Sequence, residues 1–224
     1  DLAEQKIYEI RQGREVEGLT RLSEIIVSAY DRIQKLSGED KTEYQGLRSG
    51  YSVLDSYISG LNKSDLIVIA GRPGMGKSAL ALNMAANVAK RNPDKDVCVF
   101  SLEMSKEQLA TRMLSSEALV PNTLLNSGEI SVDDWVKLAS AADALSQVSI
   151  YIDDTAGITV PQMKAKLRRM KNLGLVIIDY LQLMESPENH TNRVTEVSEI
   201  TRQVKLMAKE LNVPVLLLSQ LNRS

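Results

Sequence analysis

The sequence is poor in the groups that build metal cages and covalent staples. Its 224 residues include one cysteine, Cys98, and one histidine, His190. A lone cysteine cannot close an internal disulfide, and one thiol with one imidazole cannot furnish a multi-His or Cys-rich zinc site. Such cysteine usage fits a reducing cytoplasm, the expected location. Cys98 lies in the run Val97-Cys98-Val99-Phe100, an apolar setting that predicts a buried, inert thiol. Aromatics make up 4%, with one Phe and one Trp, so the core must rest on Leu, Ile, Val, Ala and Met. The methionines read as core fillers, and Trp135, within a helical pattern, as packed rather than stacked on a base. Neither charge sign dominates: 27 Lys+Arg face 29 Asp+Glu, a net charge of -2. That excludes nucleic-acid binding through the whole surface but not a grip through local loops. No apolar run approaches the ~18 residues of a membrane span, and no N-terminal stretch has the basic-then-apolar order of a signal peptide.

What is present is ordinary globular usage, 43% hydrophobic and 25% charged, which excludes wholesale disorder, collagen and coiled coil. The length suits one large domain with an appendage. Asp1 to Ile10 reads as a short helix, with Asp1 and Glu4 at capping-box spacing. Leu19, Leu22, Ile26, Ala29 and Ile33 recur at helical spacing, predicting an amphipathic helix from Leu19 to Leu36. A polar linker leads to a main body at Gly46, so the segments are 1–18, 19–45 and 46–224.

From there strands and helices alternate. Leu66–Ala70, Val97–Leu102, Ser149–Ile152, Leu175–Ile178 and Val213–Ser219 read as strands. Helices are predicted from about Lys77 to Asn92, Lys106 to Glu117, Asp133 to Gln147, Pro161 to Asn172 and along the stripe Val194 to Leu211. The fold class is α/β, a mainly parallel sheet with right-handed crossovers and helices on both faces.

Gly71-Arg72-Pro73-Gly74-Met75-Gly76-Lys77-Ser78 matches G-x-x-x-x-G-K-[ST] at every fixed position. Chance supplies this pattern in roughly one per cent of chains of this length, and its place between an apolar strand and a helix lowers that further. Glycines bring backbone N–H groups against phosphate oxygens with no Cβ in the way. The helix that opens at Lys77 and runs on through Ala79 turns its unpaired N–H groups to the anion. Lys77 adds a point charge at the β- and γ-phosphates, and the Ser78 hydroxyl is a Mg²⁺ ligand. ATP or GTP binding with Mg²⁺ follows.

Phosphoryl transfer also needs a metal holder and a group that positions the attacking water. Leu175-Val176-Ile177-Ile178-Asp179 is an apolar strand ending in an acid, the Walker B pattern, and Asp179 would hold Mg²⁺ through water. Asp153 and Asp154 end another strand and compete for this role behind a shorter apolar run. Glu103 follows the second strand, where a carboxylate could polarise water; a solvent-facing or capping Glu is the equal alternative. Gln220 ends the fifth strand, where a neutral amide could touch a γ-phosphate; a plain polar strand end is again the equal alternative.

Several segments together carry a family resemblance. Gly46 to Asp55 closes at Gly60-Leu61, and the phosphate loop follows. Then come Ser101-Leu102-Glu103-Met104-Ser105, Asp179-Tyr180-Leu181-Gln182-Leu183-Met184 and Leu218-Ser219-Gln220-Leu221-Asn222-Arg223. From Gly46 onward the chain resembles the C-terminal motor domain of bacterial replicative DNA helicases of the DnaB type, and Asp1 to Ile10 is similar to that family's linker helix, which docks on a neighbouring subunit. The resemblance implies a RecA-like P-loop NTPase fold behind N-terminal linker helices. It implies a homohexamer around single-stranded DNA, driven 5′ to 3′ by ATP and Mg²⁺ to separate duplex at the fork. Primase and helicase loader are the partners it implies. Glu103 matches the family's catalytic glutamate, Asp179 its metal-holding acid and Gln220 its γ-phosphate sensor.

By the same resemblance, a primase-binding domain is expected before Asp1, and a DNA loop and a basic finger after Ser224. The isolated 224 residues are therefore expected to hydrolyse ATP weakly. The polar loop from Glu185 to Asn192, with Asn189, Asn192 and the following Arg193, is the DNA-contact candidate; a surface loop is the alternative. Lys164, Lys166, Arg168, Arg169 and Lys171 crowd one helix, read first as a solvated face. Two other readings stand beside the helicase motor. One is a recombinase-like RecA-fold ATPase, and the other an ATP-binding interaction module for loader or primase.

Overall fold

Successive side chains of a strand point to opposite sides of a sheet, and the central strands bury both sides. In the computed structural model, Cys98, Phe100, Val176, Ile178, Val215 and Leu217 belong to one apolar cluster, while Val97, Val99, Leu175, Ile177, Leu216 and Leu218 belong to another. Continuous apolar runs are what a parallel sheet covered on both faces requires. The structure describes residues 22–37, 45–184 and 193–221. It divides into two units between Gln45 and Gly46.

The first unit contributes helix α1 (Leu22–Ser37), which accounts for the described part of the expected amphipathic helix. The expected helix from Asp1 to Ile10 lies outside the described residues. The second unit runs through α2 (Ser52–Ile58), β1 (Leu66–Gly71), α3 (Lys77–Arg91), β2 (Asp96–Ser101), α4 (Lys106–Ala118), α5 (Asn122–Ser127) and α6 (Val132–Ser146). It continues with β3 (Ile150–Asp153), α7 (Val160–Leu167), β4 (Leu173–Asp179), a 3₁₀ turn (Leu181–Leu183), α8 (Arg193–Leu211) and β5 (Val215–Gln220). The five strands are parallel, in the order β1-β5-β4-β2-β3. One face is covered by α7 and α8 through Met163, Leu167, Ile200, Val204 and Met207, the other by α3 and α4 through Met84, Ala85, Val88 and Leu109.

Three local readings are revised. The helix expected from Pro161 to Asn172 ends at Leu167, because the chain tightens: Arg169 N–H donates to the Lys166 carbonyl and Met170 N–H to that of Leu167. Met170 then packs on the core and Leu173 already lies in β4. Trp135 is 59% exposed rather than packed; it stands on the opening turn of α6, ahead of Leu138 and Ala141, the positions that helix buries. Met75 is exposed on the phosphate loop, whereas Met84, Met113, Met163, Met184 and Met207 do fill the core. Cys98 is buried, its thiol pushed up to about 12 by burial and by the charge of Asp96.

Upstream of β1 the chain is stitched to the body. Leu47 and Leu61 exchange main-chain bonds of 2.9 and 2.8 Å. A Cβ on Gly46 would lie 2.7 Å from the Leu61 carbonyl carbon, so only glycine allows that approach. The Ser49 carbonyl accepts from Asn87 on α3, and Ser49 N–H donates to buried Asp55.

Candidate functional site

The turn between β1 and α3 sets the geometry. Gly76 caps α3 at φ 82°, a left-handed conformation that costs a glycine little. The first bond within the helix is Leu80 N–H to the Gly76 carbonyl, 2.9 Å, so the preceding N–H groups have no partner along the helix. The Lys77 ammonium folds back over the loop and donates to the carbonyls of Gly71 at 2.9 Å and Arg72 at 3.0 Å.

A cleft of about 360 Å³ opens above the carboxyl ends of the strands, within the ~300–1,000 Å³ usual for small-ligand sites. Pro73, Gly74, Gly76, Lys77, Ser78 and Ala79 line it from the loop; Glu103, Asp179 and Gln220 line it from the ends of β2, β4 and β5. Sheet order explains the meeting: β4 lies between β2 and β5, and β5 pairs β1. Residues from 73 to 220 are thereby gathered at one sheet end, where open α/β sheets place ligands.

The acids differ in setting. Asp179 is buried, with only 6% of its surface exposed. Burial pushes its carboxyl above the usual range; a hydrogen bond from the Ser78 hydroxyl and the charges of Lys77 and Arg112 pull the other way and only partly offset it. Glu103 is exposed. It does not cap α4; Ser105 does, accepting from Gln108 N–H at 3.3 Å. The Tyr180 phenol is raised, first by burial and then by the negative charges of Glu103 and Asp179.

The residues fit a hard divalent cation. The Ser78 hydroxyl and the Asp179 carboxylate are oxygen ligands that line the same cleft. Among the described residues no cluster of three or more His, Cys, Asp or Glu forms an all-protein cage, which suits a cation that keeps waters and takes phosphate oxygens.

The competing acids lie elsewhere. Asp153 accepts from Lys166 and from Thr155 N–H, and Asp154 from Lys106 N–H. Both sit at the end of edge strand β3. Lys164 and Arg168 pair with Glu210, so much of the basic helix is engaged within the protein. Of the DNA candidates, Asn189 and Asn192 lie outside the described residues; Arg193 opens α8, and its side chain lies outside the description.

Sequence reasoning missed three lining residues, Met104, Arg112 and Tyr180. What brings them there is visible only in the folded sheet. The turn after β2 and the opening of α4 overhang the strand ends, so a cation two turns into that helix reaches the cleft.

The family model for the DnaB-like helicase C terminal domain matches residues 46–224. The chain is similar to the replicative DNA helicase DnaB of Geobacillus stearothermophilus, 45% identical over 228 residues, covering 100% of this chain and 50% of that protein. It is 46% identical to the DnaB of Synechocystis over 229 residues, covering 100% of this chain and 26% of that one. The replicative DNA helicase DnaC of Bacillus subtilis is 44% identical over 225 residues, 99% of this chain and 49% of that one. The chain thus spans half or less of these curated relatives. Among solved structures, a DnaB-like replicative helicase studied with its primase interactions superposes at TM-score 0.81 and 32% identity, covering 99% of this chain and 53% of that one. A second solved structure, an isolated ATPase domain, superposes at 0.82 and 32% identity, covering 92% and 73%. The five-stranded parallel sheet with helices on both faces is a RecA-like fold, and these likenesses support it.

Proposed function

The chain belongs to the family of DnaB-like helicase C-terminal domains, and on that footing we propose that it is the ATP-driven motor of a replicative DNA helicase. The observation that carries this is the convergence of Lys77, Ser78, Glu103, Asp179 and Gln220 on one cleft. Loop N–H groups and Lys77 bind and orient the phosphates of ATP. Ser78 and Asp179 would hold Mg²⁺, which supplies charge neutralisation at the phosphates. Glu103, exposed and therefore able to reach solvent, orients and polarises the attacking water. Gln220 touches the γ-phosphate without adding charge. In-line attack then proceeds with little covalent participation by the protein, so positioning and electrostatics supply the rate.

The motor acts in a homohexamer around single-stranded DNA, moving 5′ to 3′, with residues 1–18 docked on a neighbouring subunit. Asn189, Asn192 and Arg193 contact the strand, and primase and helicase loader are its partners. No helix among the described residues is long and apolar enough to cross a membrane. The test is Glu103→Gln in the complete protein. ATP binding should survive while hydrolysis falls about 10²–10⁴-fold, the usual weight of a positioned general base. Unchanged hydrolysis would remove Glu103 from the mechanism.

A further inference from the structure

The sheet ladder between β4 and β5 pairs Val176 with Val215, Ile177 with Leu216 and Ile178 with Leu217. The β4 chain then leaves through Tyr180 into the 3₁₀ turn Leu181–Leu183, while β5 runs on to Gln220. The main chain of Gln220 therefore extends beyond its neighbouring strand. A side chain takes that strand's place. Gln182 Oε1 accepts the N–H of Gln220 at 3.0 Å, and Gln182 Nε2 donates to the carbonyl of Gln220 at 3.0 Å. Nε2 also donates to Ser219 Oγ at 3.0 Å. A main-chain N–H only donates and a carbonyl only accepts, so these partners fix which way the Gln182 amide faces. Its two ends stand in for the carbonyl and the N–H that would flank one residue of a continued neighbouring strand.

The opposite edge of Gln220 is also tied. Gly71 is its partner in β1, and Leu221 N–H donates to the Gly71 carbonyl at 3.1 Å. The 3₁₀ turn is itself anchored, since Leu181 and Met184 on either side of Gln182 are buried in the cluster packed under α8. The backbone of the cleft-lining glutamine is thus clamped between the phosphate loop and the turn that follows Asp179.

We infer that Gln182 is a positioning residue: by holding the main chain of Gln220 it aims that side chain at the γ-phosphate and so lets the site discriminate nucleoside triphosphate from diphosphate. The inference rests on the reading of Gln220 as the γ-phosphate contact. The readout is the ratio of ADP to ATPγS dissociation constants with Mg²⁺, by calorimetry on the 224-residue chain. Thermal melting confirms that each variant is folded. Gln220→Ala calibrates the contact, with an expected fall in the ratio of about three- to tenfold, the worth of one hydrogen bond. Gln182→Met keeps shape and volume but removes both bonds, and should lower the ratio by a similar factor. The double variant should fall no further than either single one, the mark of two residues acting as one unit. Gln182→Glu keeps the acceptor and loses the donor, and it is read in the same way should the Met variant not fold. If Gln220→Ala leaves the ratio unchanged, the γ-phosphate reading itself is wrong and the inference falls with it. If Gln220→Ala lowers the ratio and the Gln182 variants do not, only the inference is overturned. A Gln182 variant that weakens ADP and ATPγS equally, or failure of both variants to fold, makes the residue a structural support and overturns the positioning role.

Discussion

β3 and β4 both end in an aspartate after an apolar run, yet Asp153 and Asp179 have opposite fates. β4 is an interior strand of the sheet and delivers Asp179, buried, to the phosphate loop. β3 is an edge strand, and its Asp153 is matched by Lys166 on α7. Burial is the largest influence on each acid. For Asp179 it prevails and the carboxyl is raised; for Asp153 the hydrogen bonds from Lys166 and Thr155, with the Lys166 charge, outweigh it and the carboxyl is lowered. An acid at a strand end therefore becomes a candidate metal holder through what its strand lies between.

The strongest way to break this contrast is Asp179→Asn beside Asp153→Asn. Mg²⁺ should tighten ATPγS binding to the unaltered chain. Asp179→Asn should reduce that gain about 10–100-fold, the scale for losing a metal-orienting carboxylate, while Asp153→Asn leaves it within about twofold, since Asp153 is paired with Lys166 on the edge strand, away from the cleft. Titration with and without Mg²⁺ checks this; equal losses would erase the distinction.

Stability should move in the opposite sense. With its folded pKa raised, Asp179 contributes stability that is fully present below the ordinary carboxylate value and lost as pH rises through the raised one. Asp179→Asn should therefore melt at a higher temperature than the unaltered chain at pH ~7, and the gap should close in acid. Asp153 behaves conversely: its contribution is present above the ordinary value and lost as pH falls through the lowered one. Asp153→Asn should cost about 0.5–1 kcal/mol near neutrality, modest because Lys166 is half exposed and solvent screens the pair. Denaturant melts across pH measure both signs. The smallest effect belongs to Lys106→Ala, under about 0.5 kcal/mol, since Asp154 keeps the 3.1 Å bond from the main-chain N–H of residue 106.

The same contrast marks how far the sequence could be read. Lys77, Ser78 and Asp179 were legible because their chemistry is written at fixed spacing or behind a long apolar run. The interior strands were legible because burial on both faces demands continuous apolar residues, and the edge strands because their short β-branched runs stand between helical patterns. Which strand lay between which was not, since sheet order is set by crossovers between segments distant in the chain. Arg112 was invisible for a related reason: a cation on an amphipathic helix looks like solvent surface until the strand beneath it is known. Trp135 shows the limit of periodicity, which finds a helix but not what covers each of its turns. Gln182 stands in a quoted motif, yet its bonds go to the main chain of Gln220, and no residue pattern on β5 records that.

The Gly71 carbonyl, shared between Lys77 and Leu221, has one more implication. A lysine already docked on the loop has surrendered its rotamer freedom in advance, so a phosphate that draws it away meets a preorganised cation. The encounter is an exchange of partners rather than a gain of one, so the attraction registers as a difference between carbonyl and phosphate. As the ammonium departs, the oxygen it leaves behind still bridges β1 to β5. A nucleotide that drew the ammonium away would leave the Gly71 carbonyl with one hydrogen bond, that from Leu221, where it now accepts two.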